Sequence, residues 1–248
     1  MKKRKAGIVI FVIVLIITAV RIKSMDSHRI SGRILAENIA GPGMLRLVEQ
    51  SMQARARKTS VTEIAVKERK HPQAALTFDD GPDIRYTPLL LDGLKERNVR
   101  VSFFLLGEKV EQYPELVERM QKEGHLVGNH TYHHVQLNKL NETKAREEIL
   151  KTNNLIYETT GVYPLYLRPP FGAWKKNLEL CVEMLPVFWT IDTLDWKVQN
   201  TEKIVRTVQE QIEDGAIILM HDEYDTSVEA ALQVVDELKN QGYELVTV

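Results

Sequence analysis

Past residue 70 the chain alternates short apolar runs with stretches of helical periodicity. The apolar runs at 74–78, 101–106, 125–128, 166–168, 187–191, 216–220 and 244–248 have the length of strands. Between them, residues 87–97, 108–122, 141–160, 175–185, 201–212 and 227–240 place apolar residues three and four apart, the spacing of a helix with one buried face. Pro114 sits near the start of its helix, and Gly124, Gly161, Gly215 and Gly242 fall where helices stop. Seven strands alternating with six helices predict an α/β domain with a parallel sheet and its helices outside. Asp79 and Asp80, His130, Arg168, Asp192 and His221 each fall at or just past the carboxyl end of a different predicted strand. A barrel gathers those ends at one mouth, whereas an open sheet brings fewer together, so the expected fold is a closed or nearly closed (β/α) barrel of about seven parallel strands.

The first seventy residues follow another pattern. Lys2-Lys3-Arg4-Lys5 precedes an Ile- and Val-rich run over 6–20, and Arg21 and Lys23 follow it. This is the order of a signal peptide or a short signal anchor over 1–24, so export is expected. Whether the leader is cleaved stays open: the run is shorter than the roughly 18–20 residues of a comfortable span, yet no small-x-small site precedes Ser24. The domain then faces outside on a membrane anchor or is secreted. Residues 25–70 are polar, broken by Gly41-Pro42-Gly43, and read as a juxtamembrane spacer with an amphipathic stretch at 43–57; the globular domain occupies 71–248. A length of 248 residues, 44% hydrophobic and 27% charged, suits one such domain plus a leader. The formal charge of −1 gives no electrostatic footprint for nucleic acid, and Cys181 has no second cysteine to pair with.

The candidate chemistry lies in two segments. Thr77-Phe78-Asp79-Asp80-Gly81-Pro82 puts two carboxylates at a strand end, where they repel each other unless a cation neutralises one. Fifty residues on, His130 and His134 stand four apart in Asn-His-Thr-Tyr-His-His, with His133 an alternative to either. One Asp and two His form a three-ligand set for a divalent ion with positions left for water and substrate, and the other Asp is then free as a base. That division of labour predicts metal-assisted hydrolysis. Arg168, opening Arg-Pro-Pro-Phe-Gly, is suited to hold a catalytic carboxylate ionised. Trp189 and Trp196 flank Asp192 and Asp195 and offer faces for sugar rings. His221, next to Asp222, suits a general acid whose proton an ionised neighbour retains.

Together these segments resemble the polysaccharide deacetylases of carbohydrate esterase family 4, the NodB-homology domain, over about 70–248. Thr77-Phe78-Asp79-Asp80-Gly81, His130-Thr131-Tyr132-His133-His134, Arg168-Pro169-Pro170-Phe171-Gly172, Asp192-Thr193-Leu194-Asp195-Trp196 and Leu219-Met220-His221 are similar to its five motifs, in order. The resemblance implies a distorted barrel with fewer than eight strand–helix units. It also implies Asp79 as base, Asp80, His130 and His134 as metal ligands, Arg168 as the residue that orients Asp79, and His221 as general acid tuned by Asp195. Phe171 is implied as an oxyanion donor through its backbone N–H, Trp196 as a cleft wall and Leu219 as the lining of the acetyl pocket. The implied reaction removes N-acetyl groups from N-acetylhexosamine units of a polysaccharide, with one divalent ion, Zn²⁺ first and Co²⁺ or another also suitable. For an exported domain peptidoglycan is the leading substrate, ahead of chitin-like oligosaccharides and poly-N-acetylglucosamine. The rival readings are a glycan-binding envelope protein without turnover, and a barrel hydrolase acting on another bond, such as that of acetylated xylan.

Overall fold

The protein is described by a computed structural model over residues 71–174 and 184–248. The leader over 1–24, the spacer over 25–70 and most of the predicted helix 175–185 lie outside the described residues. Strand β1 (Gln73–Asp79) is followed by α1 (Tyr86–Glu96), β2 (Ser102–Leu105), α2 (Gly107–Gln112), α3 (Pro114–Lys122), β3 (Leu126–Asn129), α4 (Glu142–Thr160) and β4 (Tyr166–Leu167). Then come β5 (Leu185–Pro186), β6 (Ile191–Asp192), α5 (Asp195–Val198), α6 (Thr201–Gln211), β7 (Ala216–His221), α7 (Asp225–Asn240) and β8 (Glu244–Leu245). Among the described residues no helix is long and apolar enough to cross a membrane.

Every strand pairing is parallel, in the order β5-β4-β3-β2-β1-β7-β6, with β8 joined to β1. β7 occupies one edge of β1 from Ala74 to Asp79, so β8 and β2 divide the other: β8 beside Gln73 and Ala74, β2 beside Thr77 to Asp79. The sheet curls as a (β/α) barrel does, but among the described residues its end strands β5 and β6 do not pair. The chain bridges them instead. The Val187 N–H donates to Leu167 O on the β4 side (2.9 Å), and the Thr190 N–H donates to Ile217 O on the β7 side (2.9 Å). The expected strand 187–191 is thereby corrected: a segment that crosses from one end of the sheet to the other cannot stay parallel to either neighbour, and only Ile191 of that range enters a ladder.

The two-residue period of β1 sorts its side chains between two environments. Ala74, Leu76 and Phe78 join Phe103, Ile218 and Met220 in the core beneath the helices, where the Phe78 and Phe103 rings stack at 5.5 Å. Thr77 and Asp79 point to the opposite face, inside the barrel. There the wholly buried Arg168 lies with its guanidinium 4.2 Å from the Phe104 ring centre.

Helices α1, α4, α6 and α7 fall where periodicity puts them. α4 starts at Asn141, whose side chain accepts the Lys144 N–H (2.9 Å), and ends at Gly161 with φ 71°. The predicted helix 108–122 is two helices, broken at Tyr113 (φ −133°, ψ 56°), because Pro114 lacks the N–H that would continue the first and instead opens the second. The end of the predicted helix 175–185 is strand β5, paired with β4. α5, one turn entered through Leu194 at φ 51°, is too short to leave a periodic signal.

Candidate active site

The carboxyl end of β1 splits its two aspartates. Asp79, the last strand residue, follows the strand's alternation into the barrel and is 3% exposed. Asp80 takes φ 68° and turns towards the mouth. One Arg168 nitrogen, Nη1, donates both to Asp79 Oδ1 (2.8 Å) and to Thr77 Oγ1 (2.7 Å), and Thr77 in turn donates to Ile218 O (2.7 Å). Burial raises the pKa of Asp79, while Arg168 first, then His221 and His134, pull it back. Burial prevails, and the result is a carboxylate held by its guanidinium and more basic than one in water.

His130 and His134 meet Asp80 from a loop, not a helix. His130 follows β3, and its Nδ1 lies 2.6 Å from Arg168 O; with the proton on Nδ1 the Nε2 lone pair is free. Burial pushes the His130 pKa down to about 3, so the ring is neutral as a ligand must be. His134 reaches the same point through a residue with φ 55°, its ring 4.5 Å from that of Phe171. Both Nε2 atoms stand 3.4 Å from Asp80 Oδ1, and one ligand atom from each of the three residues lies within 4.8 Å of the others. Asp80 Oδ1 is buried without a hydrogen-bond partner. A buried anionic oxygen facing two imidazole nitrogens is what a divalent cation would satisfy. His133 is turned away, its Nδ1 2.8 Å from Glu148 Oε1, which closes the alternative left open by the sequence.

Across the sheet, His221 is the register partner of Asp79. Its Nδ1 lies 2.8 Å from Oδ1 of the buried Asp195, whose Oδ2 accepts the His221 backbone N–H at 2.7 Å. Nε2 is thereby aimed at the mouth, 3.9 Å from Asp80 Oδ2. Burial lowers the His221 pKa, but the hydrogen bond and charge of Asp195, with Asp79 and Asp80, outweigh it and push it up to about 9.

These groups open into one cleft of about 440 Å³. Asp79, Asp80, His130, His134 and His221 form its floor; Phe171, Trp196 and Leu219 line its walls, and Arg168 and Asp195 stand behind it. Phe171 and Trp196 expose 61% and 50% of their surface, as a platform for a bulky ligand requires. The cleft also takes in Trp189, Asp192, Glu223 and Tyr224. Glu223 and Tyr224 lie just past His221, in the loop 222–224; the ion pair of Glu223 with Lys109 of α2 has no sequence signal.

A family model for polysaccharide deacetylases matches residues 66–187. The peptidoglycan-N-acetylglucosamine deacetylase PgdA of Listeria monocytogenes is 41% identical over 182 residues, covering 73% of this chain and 39% of that protein. A peptidoglycan-N-acetylglucosamine deacetylase of Bacillus cereus is 36% identical over 182 residues, covering 70% of this chain and 85% of that protein. The chain belongs to the polysaccharide deacetylase family. The solved structure of another similar protein, the peptidoglycan deacetylase PdaC of Bacillus subtilis, superposes at a TM-score of 0.70 with 41% identity, covering 72% of this chain and 89% of that one. The chain spans about two fifths of the length of the Listeria deacetylase. Identities of this size at high coverage bear out the carbohydrate esterase family 4 resemblance carried by the five motifs.

Proposed function

We propose that this polysaccharide deacetylase hydrolyses the acetamido bond of N-acetylhexosamine units in peptidoglycan, releasing acetate and leaving a free amine. The observation that carries the reading is the convergence of a guanidinium-held carboxylate, a carboxylate-held imidazole and the Asp80-His130-His134 set on one cleft. The peptidoglycan deacetylases it resembles support the choice of polymer.

Asp80, His130 and His134 would hold a divalent cation, Zn²⁺ by their mixed oxygen and nitrogen character, with Co²⁺ or another divalent ion also compatible. Bound there, it supplies Lewis-acid polarisation of the acetyl carbonyl and a lowered pKa for water. The protein side chains move the protons. Asp79 Oδ1 is tied to Arg168, leaving Oδ2 to take the proton of the attacking water. The backbone N–H of Phe171 serves as a donor to the developing oxyanion, a contribution of about 3 kcal/mol for such groups. His221, its Nδ1 held by Asp195, delivers the Nε2 proton to the departing nitrogen. Trp196 offers a face to the sugar ring, and Leu219 bounds the acetyl methyl.

The charge order of the leader over 1–24 supports export, with the catalytic domain facing the wall on an anchor or released. Protease added to intact cells should then remove the domain, or the protein should be found in the medium. Purified protein incubated with peptidoglycan, followed by mass spectrometry of the fragments, tests the chemistry: each event subtracts one acetyl group. Acetate released from acetylated xylan but not from peptidoglycan would reject the reading.

A further inference from the structure

The loop that carries His130 and His134 is bent against backbone preference. Thr131 and His134 both take left-handed φ, 68° and 55°, without being glycine. Such residues are costly and persist where their surroundings over-determine them. The surroundings can be traced group by group. The His130 N–H donates to Leu105 O (2.9 Å), Thr131 N–H to Asn129 Oδ1 (2.7 Å) and Val135 N–H to Thr131 Oγ1 (3.3 Å). The carbonyls of Thr131 and Tyr132 accept from the first two amides of α2, those of Gly107 (2.9 Å) and Glu108 (3.3 Å). Two amides at the apex, Tyr132 and His133, both donate to one atom, Glu148 Oε2, at 3.0 and 2.9 Å. Glu148 Oε1 takes the third contact, with His133 Nδ1 at 2.8 Å.

We infer that Glu148, on α4 and outside the cleft, is the positioning residue of the metal centre: its carboxylate bridges two consecutive amides and so fixes the spacing of His130 and His134. A carboxylate accepts several hydrogen bonds at once, and charge-assisted bonds to amides are the stronger kind. The side chain is only 15% exposed, which limits competition from water. Glu148 meets the loop between its two ligands, so loss of the bridge frees both imidazoles from the geometry that Asp80 requires. Outer partners of this type typically change metal affinity by about 10–100-fold.

The inference rests on the ligand set proposed above, and the test separates the two. Full-length protein is stripped of metal; Zn²⁺ affinity is measured by chelator competition and Co²⁺ geometry by visible absorption. If the wild type itself binds neither ion, the ligand set fails and Glu148 is not at issue. Given wild-type binding, Glu148→Asp, which keeps the charge but is one methylene too short to bridge, should weaken Zn²⁺ by at least about tenfold and alter the Co²⁺ spectrum. Glu148→Gln, which keeps the length and an acceptor oxygen but gives up the charge, should lose clearly less than Glu148→Asp. Glu148→Ala should match Glu148→Asp; if it does not fold, the Asp and Gln variants decide alone. Wild-type affinity in Glu148→Asp, or equal losses in Glu148→Asp and Glu148→Gln, would overturn the assignment.

Discussion

Both oxygens of Asp195 are committed to His221, one to the ring Nδ1 at 2.8 Å and the other to the backbone amide at 2.7 Å. The carboxylate therefore fixes where the imidazole points as well as its charge. In the metal-free protein the His221 pKa, about 9, stands above the ordinary value of 6.5. The stability this supplies is fully present below about 6.5 and is lost as pH rises through about 9. In an NMR titration of the metal-free protein, Asp195→Asn should move the His221 midpoint down by at least about one unit. An unmoved midpoint would show that Asp195 does not hold the proton.

Replacing His221 by Ala would remove the proposed proton delivery and leave Asp80, His130 and His134 in place. Turnover on acetylated glycan should fall about 10²–10⁴-fold with metal content unchanged. Wild-type turnover would take His221 out of the mechanism.

Arg168 and Asp79 are a buried pair, and breaking one side strands the other. Arg168→Ala should destabilise the domain by about 3–5 kcal/mol in urea denaturation. Arg168→Lys keeps the charge but loses the planar guanidinium that packs on Phe104 and carries Nη1 to both Asp79 and Thr77, so it should fold better than Arg168→Ala and still turn over more slowly than wild type. The double replacement of Arg168 and Asp79 by Ala should cost less than the sum of the single changes; strict additivity would mean that the two do not interact.

His130→Ala should drop bound Zn²⁺ to background on elemental analysis, because it removes the Nε2 that faces Asp80 Oδ1 on a ring whose Nδ1 is held by Arg168 O. His133→Ala, next to His134 in sequence yet facing Glu148, should retain the ion. The reverse pattern would reassign the centre to His133.

Gly81 is required by the approach of a neighbour. A Cβ built there would stand 2.5 Å from Oδ1 of the wholly buried Asp222. Gly81→Ala should therefore cost about 1–3 kcal/mol, the range for overpacking. Adding Asp222→Ala should return part of that loss, read as a non-additive double-mutant cycle. Additive costs would remove the clash as the cause.

Much of the site was legible because strand alternation and strand ends are written in the sequence. The order of apolar runs placed Asp79, His130 and His221 at one mouth, and the alternation of β1 puts Thr77 on the Arg168 face, although Thr77 was not singled out. Tertiary relationships were not legible. Nothing local marks Glu148 as the partner that turns His133 away, and the crossing at 187–190 reads as a strand because Val187, Phe188 and Ile191 carry the same apolar signal in either geometry. The break at Tyr113 has a local signal in Pro114, which marks a helix start and, by lacking an N–H, also ends the turn before it.

The register of β1 against β7 sets Asp79 opposite His221. The spacing between the two residues is then a property of two hydrogen-bonded backbones, close to the about 4.8 Å between adjacent strands at the level of the main chain. Loops around the mouth can lengthen, shorten or exchange residues to suit another glycan without retuning that separation. The outline of the mouth and the distance between these two side chains are thus set by different parts of the molecule.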